Sequence, residues 1–152
     1  MAAIAAQIIE MMEPGWLYVL GPGTTTRAIT DRLDFPKTLA GVDACTREGM
    51  AAFDLSEAKL LELLEGQPAK IIVTPIGGQG FLFGRGNQQI SAQVIRKVGR
   101  ENIWVVSLAE KLNNLRGEPL LVDTGDAEVD EMLSGYMTVI VGYGEKVVYR
   151  VA

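Results

Sequence analysis

The chain predicts an α/β fold: a three-layer α/β/α domain on a mostly parallel sheet, with an antiparallel hairpin at the C-terminal end. Three observations carry this. Apolar runs such as Ile71-Ile72-Val73 and Ile103-Trp104-Val105-Val106 have the length and continuity of strands buried on both faces. Segments between them repeat apolar residues at helical spacing, so strands and helices alternate to about residue 135. Finally, Gly142-Tyr143-Gly144 separates two strand-like runs, which fits a hairpin turn.

The elements follow in order. Residues 2–12 read as an amphipathic helix stopped by Pro14-Gly15. That segment is too short to span a bilayer and lacks the marks of a signal peptide. A first strand is expected at 16–20, then the turn Gly21-Pro22-Gly23 and a helix from Thr24. A second strand is expected at 37–44, with Asp43 at its end, and 46–53 reads as connection. Asp54 or Ser56 can cap a helix that carries Leu60, Leu61 and Leu64 and ends at Gly66. Strands at 69–73, 103–107 and 119–122 are interleaved with helices at 91–98, 108–115 and 127–133, the last capped by Asp126. The closing hairpin is 136–141 and 145–151. Nothing marks a linker, repeat or low-complexity tract, so residues 1–152 read as one domain.

Composition narrows the function. A hydrophobic content of 48% supports a proper core. Net charge −5 argues against a nucleic-acid or anionic-membrane binder, which needs a basic face. The single cysteine, Cys45, permits no internal disulfide, which fits a reducing cytoplasm. Cys45 reads as a small buried side chain rather than a nucleophile. There is no histidine, which removes the usual general base and the commonest zinc ligand together.

Two stretches suggest binding. In Gly21-Pro22-Gly23-Thr24-Thr25-Thr26, strand, glycine turn, hydroxyl cluster and helix follow in turn. Unpaired N–H groups at a helix start, the helix dipole and threonine hydroxyls form a phosphate-cradle pattern. Neither the P-loop ending nor the third glycine of the dinucleotide fingerprint is present. Plain capping by a threonine accounts for the same residues without a ligand. The second stretch, residues 74–90, follows Val73 and carries Gly77, Gly78, Gly80, Gly84 and Gly86. Its polar residues are Gln79, Arg85, Asn87, Gln88 and Gln89: one fixed cation and several amides, none suited to proton transfer. Phe81, Leu82 and Phe83 should pin it to a core. It reads as a binding loop, or else as a mobile surface loop. Asp43 either faces the ligand crevice or serves a turn. In a parallel sheet the loops after the strands share an edge, so Gly21 to Thr26, Asp43, Gly77 to Asn87 and Lys111 are expected at one crevice. Asp43, Asp123 and Asp126 can hold Mg2+ through water, although turns and caps are their commoner role.

The motifs Leu20-Gly21-Pro22-Gly23-Thr24-Thr25, Leu39-Ala40-Gly41-Val42-Asp43-Ala44, Ile72-Val73-Thr74-Pro75-Ile76-Gly77-Gly78-Gln79-Gly80-Phe81, Gly84-Arg85-Gly86-Asn87-Gln88-Gln89-Ile90-Ser91 and Leu121-Val122-Asp123-Thr124-Gly125-Asp126 give the chain a resemblance to a family. It resembles the C-terminal region of ATP-NAD kinases, in the long branch that includes polyphosphate/ATP-NAD kinases and acetoin-catabolism relatives. The resemblance implies phosphoryl transfer from ATP or polyphosphate to NAD by the full-length protein. It also implies an N-terminal kinase domain as partner. The Gly-Gly-Asp-Gly-Thr type motif of that domain is not among these residues. A second resemblance is to the ribose-5-phosphate isomerase and CoA-transferase group, which implies a similar fold and phosphate binding. There Gly21 to Thr26, Asp43, Gly77 to Gly80 and Lys111 match in order. An isomerase needs a carboxylate just after its glycine-rich loop, where this chain has Gly84-Arg85-Gly86-Asn87.

Two functions are therefore expected to compete. One is the nucleotide- or phosphate-binding domain of an ATP-NAD kinase-like protein, inactive by itself, with Arg85 and Lys111 meeting phosphate. The other is a non-catalytic regulatory module that binds a phosphorylated metabolite in an isomerase-like crevice. The expected ligand is a small anion, a nucleotide or sugar phosphate. The expected protein partner is a kinase domain or a second copy of the chain.

Overall fold

The computed structural model describes residues 1–152. The helices are α1 (Ala2–Met11), α2 (Thr24–Arg32), α3 (Glu57–Leu63), α4 (Ala92–Val98), α5 (Ala109–Asn113) and α6 (Ala127–Leu133). The strands are β1 (Leu17–Leu20), β2 (Asp43–Thr46), β3 (Gly49–Ala52), β4 (Ala69–Val73), β5 (Phe81–Phe83), β6 (Ile103–Val106), β7 (Leu121–Val122), β8 (Gly135–Gly142) and β9 (Glu145–Val151). Seven of them form one sheet in the order β3-β2-β1-β4-β6-β8-β9, and β5 pairs with β7 in a small second sheet. The central strands β1, β4, β6 and β8 are parallel neighbours; β2 and β9 run against them.

Alternation along the buried strands builds two cores. Leu17, Val19, Ile71, Val73, Val105 and Val139 face one side, where Leu60, Val94, Ile95, Val129 and Leu133 of α3, α4 and α6 cover them. Tyr18, Leu20, Ile72, Val106 and Ile140 face the other, under Ile4, Ile8 and Ile29 of α1 and α2. This is the expected three-layer arrangement. Helix α1 has no side-chain cap. The burial of Ile4 and Ile8, about 1.5–3 kcal/mol each, is what holds it down. By contrast, Ser56, Ser91 and Asp126 each accept from first-turn N–H groups of their helices. Asp54, the other cap candidate, instead stands at positive φ before α3.

The second strand departs from expectation. Residues 37–42 are a loop, and the strand begins at Asp43, where residue 44 was expected to end it. It runs antiparallel to β1 and turns at once into β3, in the stretch expected as connection. The reason is local. Asp43 takes backbone and side-chain donors from Thr38 and the N–H of Asp54, which folds residues 38–42 back on it. The fifth expected strand lies outside the main sheet, as β7.

At the opposite end of the sheet from the loops after β1, β4 and β6, Lys70 Nζ sits 4.7 Å from the Trp16 ring and 5.4 Å from the Trp104 ring. It also donates to Asn102 Oδ1 at 2.8 Å. The charge is thus held by two aromatic faces and an amide.

Cys45 is fully buried in β2, and burial pushes its thiol from 9.0 up to about 12. The folded thiol keeps its proton where the unfolded one releases it. The resulting stability is complete below about pH 9 and is lost as pH rises toward 12. Tyr18, raised mainly by burial, adds in the same direction. Between about pH 8 and about pH 10.5 the wild type should lose about 2 kcal/mol more than Cys45→Ala. Urea unfolding at both pH values measures this; equal losses would place the alkaline sensitivity elsewhere.

Candidate functional site

Numbered by appearance, the strands of the main sheet stand in the spatial order 3-2-1-4-5-6-7. In such doubly wound sheets ligands bind outside the carboxyl ends of the strands where the order reverses, here between β1 and β4. The chain leaves β1 into α2 on one face, whereas the segments after β4 lead to α4 on the other. The two loops separate and open a cleft of about 380 Å³.

One wall is the start of α2. Its N-cap is Gly23, at φ 124°, and no side chain caps the helix. The expected threonine cap is not made: Thr26 Oγ1 instead donates to the Gly21 carbonyl at 2.7 Å, which tightens the turn. The N–H groups of Thr24, Thr25 and Thr26 therefore have no acceptor in the protein. Gly23 also lies so close to Thr74 that a Cβ would meet its Cγ2 at 3.0 Å. Thr25 and Thr74 are only 7% and 6% exposed and both line the cleft. Neither hydroxyl has a protein partner, and neither is sealed from solvent.

The other wall is Thr74-Pro75-Ile76-Gly77 after β4, with Gly86 behind it and Ala40 on the rim. Leu108 and Lys111, from the segment after β6, close the end. Lys111 has no ion-pair or hydrogen-bond partner, unlike Lys37, Arg85, Arg96 and Lys97. No carboxylate lines this space. A second lobe continues past Gly77, Leu108 and Lys111 along α5, where Gly78, Glu110 and Asn114 line it.

Among the residues singled out from the sequence, Gly23, Thr24, Thr25, Gly77 and Lys111 come together here, with Gly78 in the second lobe. The others stand apart. Gly21 is buried beneath the turn and donates to Ile72 O, extending the β1–β4 ladder by one residue. Gln79 and Gly80 belong to a tight hairpin, closed by paired bonds between Ile76 and Phe81. Gly80 packs on Leu115 and Leu120. The 74–90 stretch is thus not one open loop, since β5 runs through it with Leu82 and Phe83 buried. At its end Gly84 has φ 95°, and any Cβ there would strike the Asp123 backbone. Arg85 lies off the cleft, 4.5 Å over the Phe81 ring and 3.6 Å from Asp123. Asn87 is buried; its Nδ2 donates to Leu82 O at 3.0 Å, and its Oδ1 has no partner. Asp43, Asp123 and Asp126 serve the fold separately, and no group of three acidic or thiol side chains converges to hold a metal ion.

Asp43 takes the turn role, one of the two expected for it. Its carboxylate is fully buried beside Lys37 Nζ at 3.6 Å, and burial lowers the Lys37 ammonium below its ordinary value despite this partner. The carboxylate also accepts from Thr38 N at 2.7 Å and Asp54 N at 2.7 Å. Asp43 therefore shapes the segment that carries Ala40 to the rim. Asp43→Ala would strand Lys37 and two backbone donors, and should cost about 3–5 kcal/mol. Chemical unfolding checks this; a loss under about 1 kcal/mol would mean that the segment relaxes without it.

Thr74, Pro75 and Ile76 belong to the expected binding loop without being singled out individually, and Ala40 and Leu108 are not among the expected site residues. Three of these begin the loop after β4, and Leu108 follows β6, so position just past a parallel strand was the available signal. Ala40 gave none, because its segment was expected to be strand.

The family described as the ATP-NAD kinase C-terminal domain matches residues 15–151. No curated protein and no solved structure matches the chain. No helix is long and apolar enough to cross a membrane. With nearly its whole length matched, from just before β1 to the last residue of β9, the chain belongs to the ATP-NAD kinase C-terminal domain family.

Proposed function

We propose that the cleft between β1 and β4 binds the phosphate of a nucleotide or sugar phosphate, and that the chain is the phosphate-binding domain of an ATP-NAD kinase-like protein. One observation carries this reading. Thr24 and Thr25, whose N–H groups have no acceptor, and the nearly buried Thr25 and Thr74, whose hydroxyls have no protein partner, line the same space as the unpaired Lys111. Donors that converge on one space exchange scattered waters for a single anion that accepts from them together. In the reaction of the full-length family the substrates are ATP or polyphosphate and NAD, and an N-terminal kinase domain of the same protein is the partner we assign. A cytoplasmic setting belongs to the same reading.

The chemistry of the lining favours binding over catalysis by this chain. Phosphoryl transfer to a hydroxyl needs a base and a clamp on the transferring group. The lining residues offer donors and one cation, but neither carboxylate nor imidazole. This also supports the second reading, a regulatory module for a phosphorylated metabolite. With ATP or polyphosphate, Mg2+ and NAD, the 152-residue protein should form no NADP. Sustained NADP production by the purified chain would refute that part of the proposal.

Lys111→Ala should weaken binding of ATP, NAD or ribose 5-phosphate by about 1.5–3 kcal/mol, roughly ten- to a hundredfold. Arg85→Ala should change it less than about threefold, since Arg85 is held by Phe81 and Asp123. Calorimetric titration of the three proteins, beside thermal melts, separates ligand effects from folding. If Arg85 rather than Lys111 proves necessary, the anion lies outside this cleft.

A further inference from the structure

We propose that the outer edge of β9 takes up an extended acidic segment of a partner protein as an eighth strand of the main sheet. The inference goes beyond the phosphate-binding reading and stands whether or not that cleft is filled.

The backbone comes first. β9 ends the sheet and is seven residues long, whereas β3 at the other end has four. Short edges resist pairing, and long ones invite it. The Leu120 N–H donates to the Arg150 carbonyl, and the Ala152 N–H donates to the Leu120 carbonyl. Arg150 and Ala152 therefore turn their backbone groups away from β8. Lys146 and Val148, at alternate positions before them, turn theirs the same way. No protein group pairs with them on that side, because no strand lies beyond β9. Leu120 closes the edge past Tyr149, which leaves residues 145–149 open.

The side chains give the partner its chemistry. The same alternation puts Lys146, Val148 and Arg150 on one face, across from Ile140, Thr138 and Tyr136 of β8. All three are exposed, Val148 at 68%, and so are Thr138 and Tyr136, so no helix covers this corner. The ion pairs of the chain take Arg27, Lys37, Arg85, Arg96 and Lys97 and leave Lys146 and Arg150 free. Glu145 alternates to the other face, where its carboxyl leans over Gly142.

These charges decide between occupants. Centred on Val148, antiparallel pairing with a second copy sets Lys146 of each copy opposite Arg150 of the other, a like-charge pair made twice. Centred on Val147, it sets the two cations opposite Val148 and Gly144, with no carboxylate to meet them. A glutamate opposite Val148, by contrast, lays its methylenes on the valine. It then stands diagonal to both Lys146 and Arg150, a separation of about 7–8 Å that long side chains bridge. Cations on an edge strand guard against unwanted pairing. Here they turn away another copy and admit an acidic strand, whose main chain supplies the remaining bonds.

Fluorescence anisotropy on the full chain at low ionic strength tests this with a dye-labelled peptide, Ser-Glu-Val-Glu-Val-Glu-Ser, capped at both ends. Its controls are the same peptide with glutamine for every glutamate, and a fully N-methylated form that keeps the charge but loses its backbone donors. A chain of net charge −5 repels an acidic peptide everywhere but at a basic patch. The acidic peptide should nevertheless bind at least about tenfold tighter than either control. Bound peptide should slow amide exchange at Lys146 and Val148 at least about threefold, since those N–H groups gain acceptors. Val148→Pro removes one outward N–H, a change that edge strands tolerate, and should weaken the peptide about tenfold. Lys146→Gln/Arg150→Gln should bring the acidic and glutamine peptides within about threefold of each other, and keeps the test open if Val148→Pro fails to fold. Equal binding of the acidic and N-methylated peptides, or no binding of the acidic peptide, would overturn the proposal. So would an acidic preference unmoved by the double variant at unchanged melting temperature. A chain that dimerises alone with Lys146 and Val148 protected would overturn it too, by making the occupant a second copy.

Discussion

The parallel pairing of β1 with β4 is the constraint on which the cleft depends. Its ladder runs from Leu17–Ala69 to Leu20–Ile72 and continues one step through the Gly21 N–H to the Ile72 carbonyl. That extra bond brings both strands to the same level before they release their loops. Gly23 then packs directly on Thr74, and only a residue without a Cβ fits between them without displacing that side chain. From this shared start one segment turns toward α2 and the other toward β5 and α4. The opening is a consequence of diverging connections on a rigid edge, so it needs no mobile element to form it.

A buried ion pair supports the rim from beneath. Burying charge is expensive, and the Lys37–Asp43 pair is kept by the hydrogen bonds that surround it. Those bonds tie together a loop, the first residue of β2 and the corner after β3. The contact is therefore better understood as a device that gives residues 37–42 one conformation than as a large source of stability.

The parts of the fold that could be read in the sequence are those whose signals are local. The strands β4, β6, β8 and β9 are continuous or alternating apolar runs, and Ser56 and Asp126 cap where capping residues precede apolar periodicity. The strand β3, Gly-Met-Ala-Ala, has neither β-branched residues nor alternation, and β5 is hidden among glycines. Both are set by their partners rather than by their own composition. The same division holds at the site. The start of α2 follows from Gly-Pro-Gly-Thr-Thr, and Lys111 follows from its place after β6. Arg85 looked free because Phe81 and Asp123, which hold it, are brought there by folding. Asp43 could be read either as a crevice or as a turn residue for a similar reason: its bond to the Asp54 backbone spans eleven positions.

Lys70 and its two indoles have a practical corollary for optical work. Trp16 and Trp104 are the chain's complete set of tryptophans, and both belong to the amino edge of the parallel strands. A strand rises about 3.3 Å per residue, so β1 alone puts more than about 10 Å between that edge and the glycine turn. An ammonium held against both rings also fixes their electrostatic surroundings in the native state. Intrinsic fluorescence should consequently follow global unfolding faithfully while staying nearly blind to whatever occupies the cleft. An emission change on adding a ligand would be a sign of rearrangement through the sheet, not of contact.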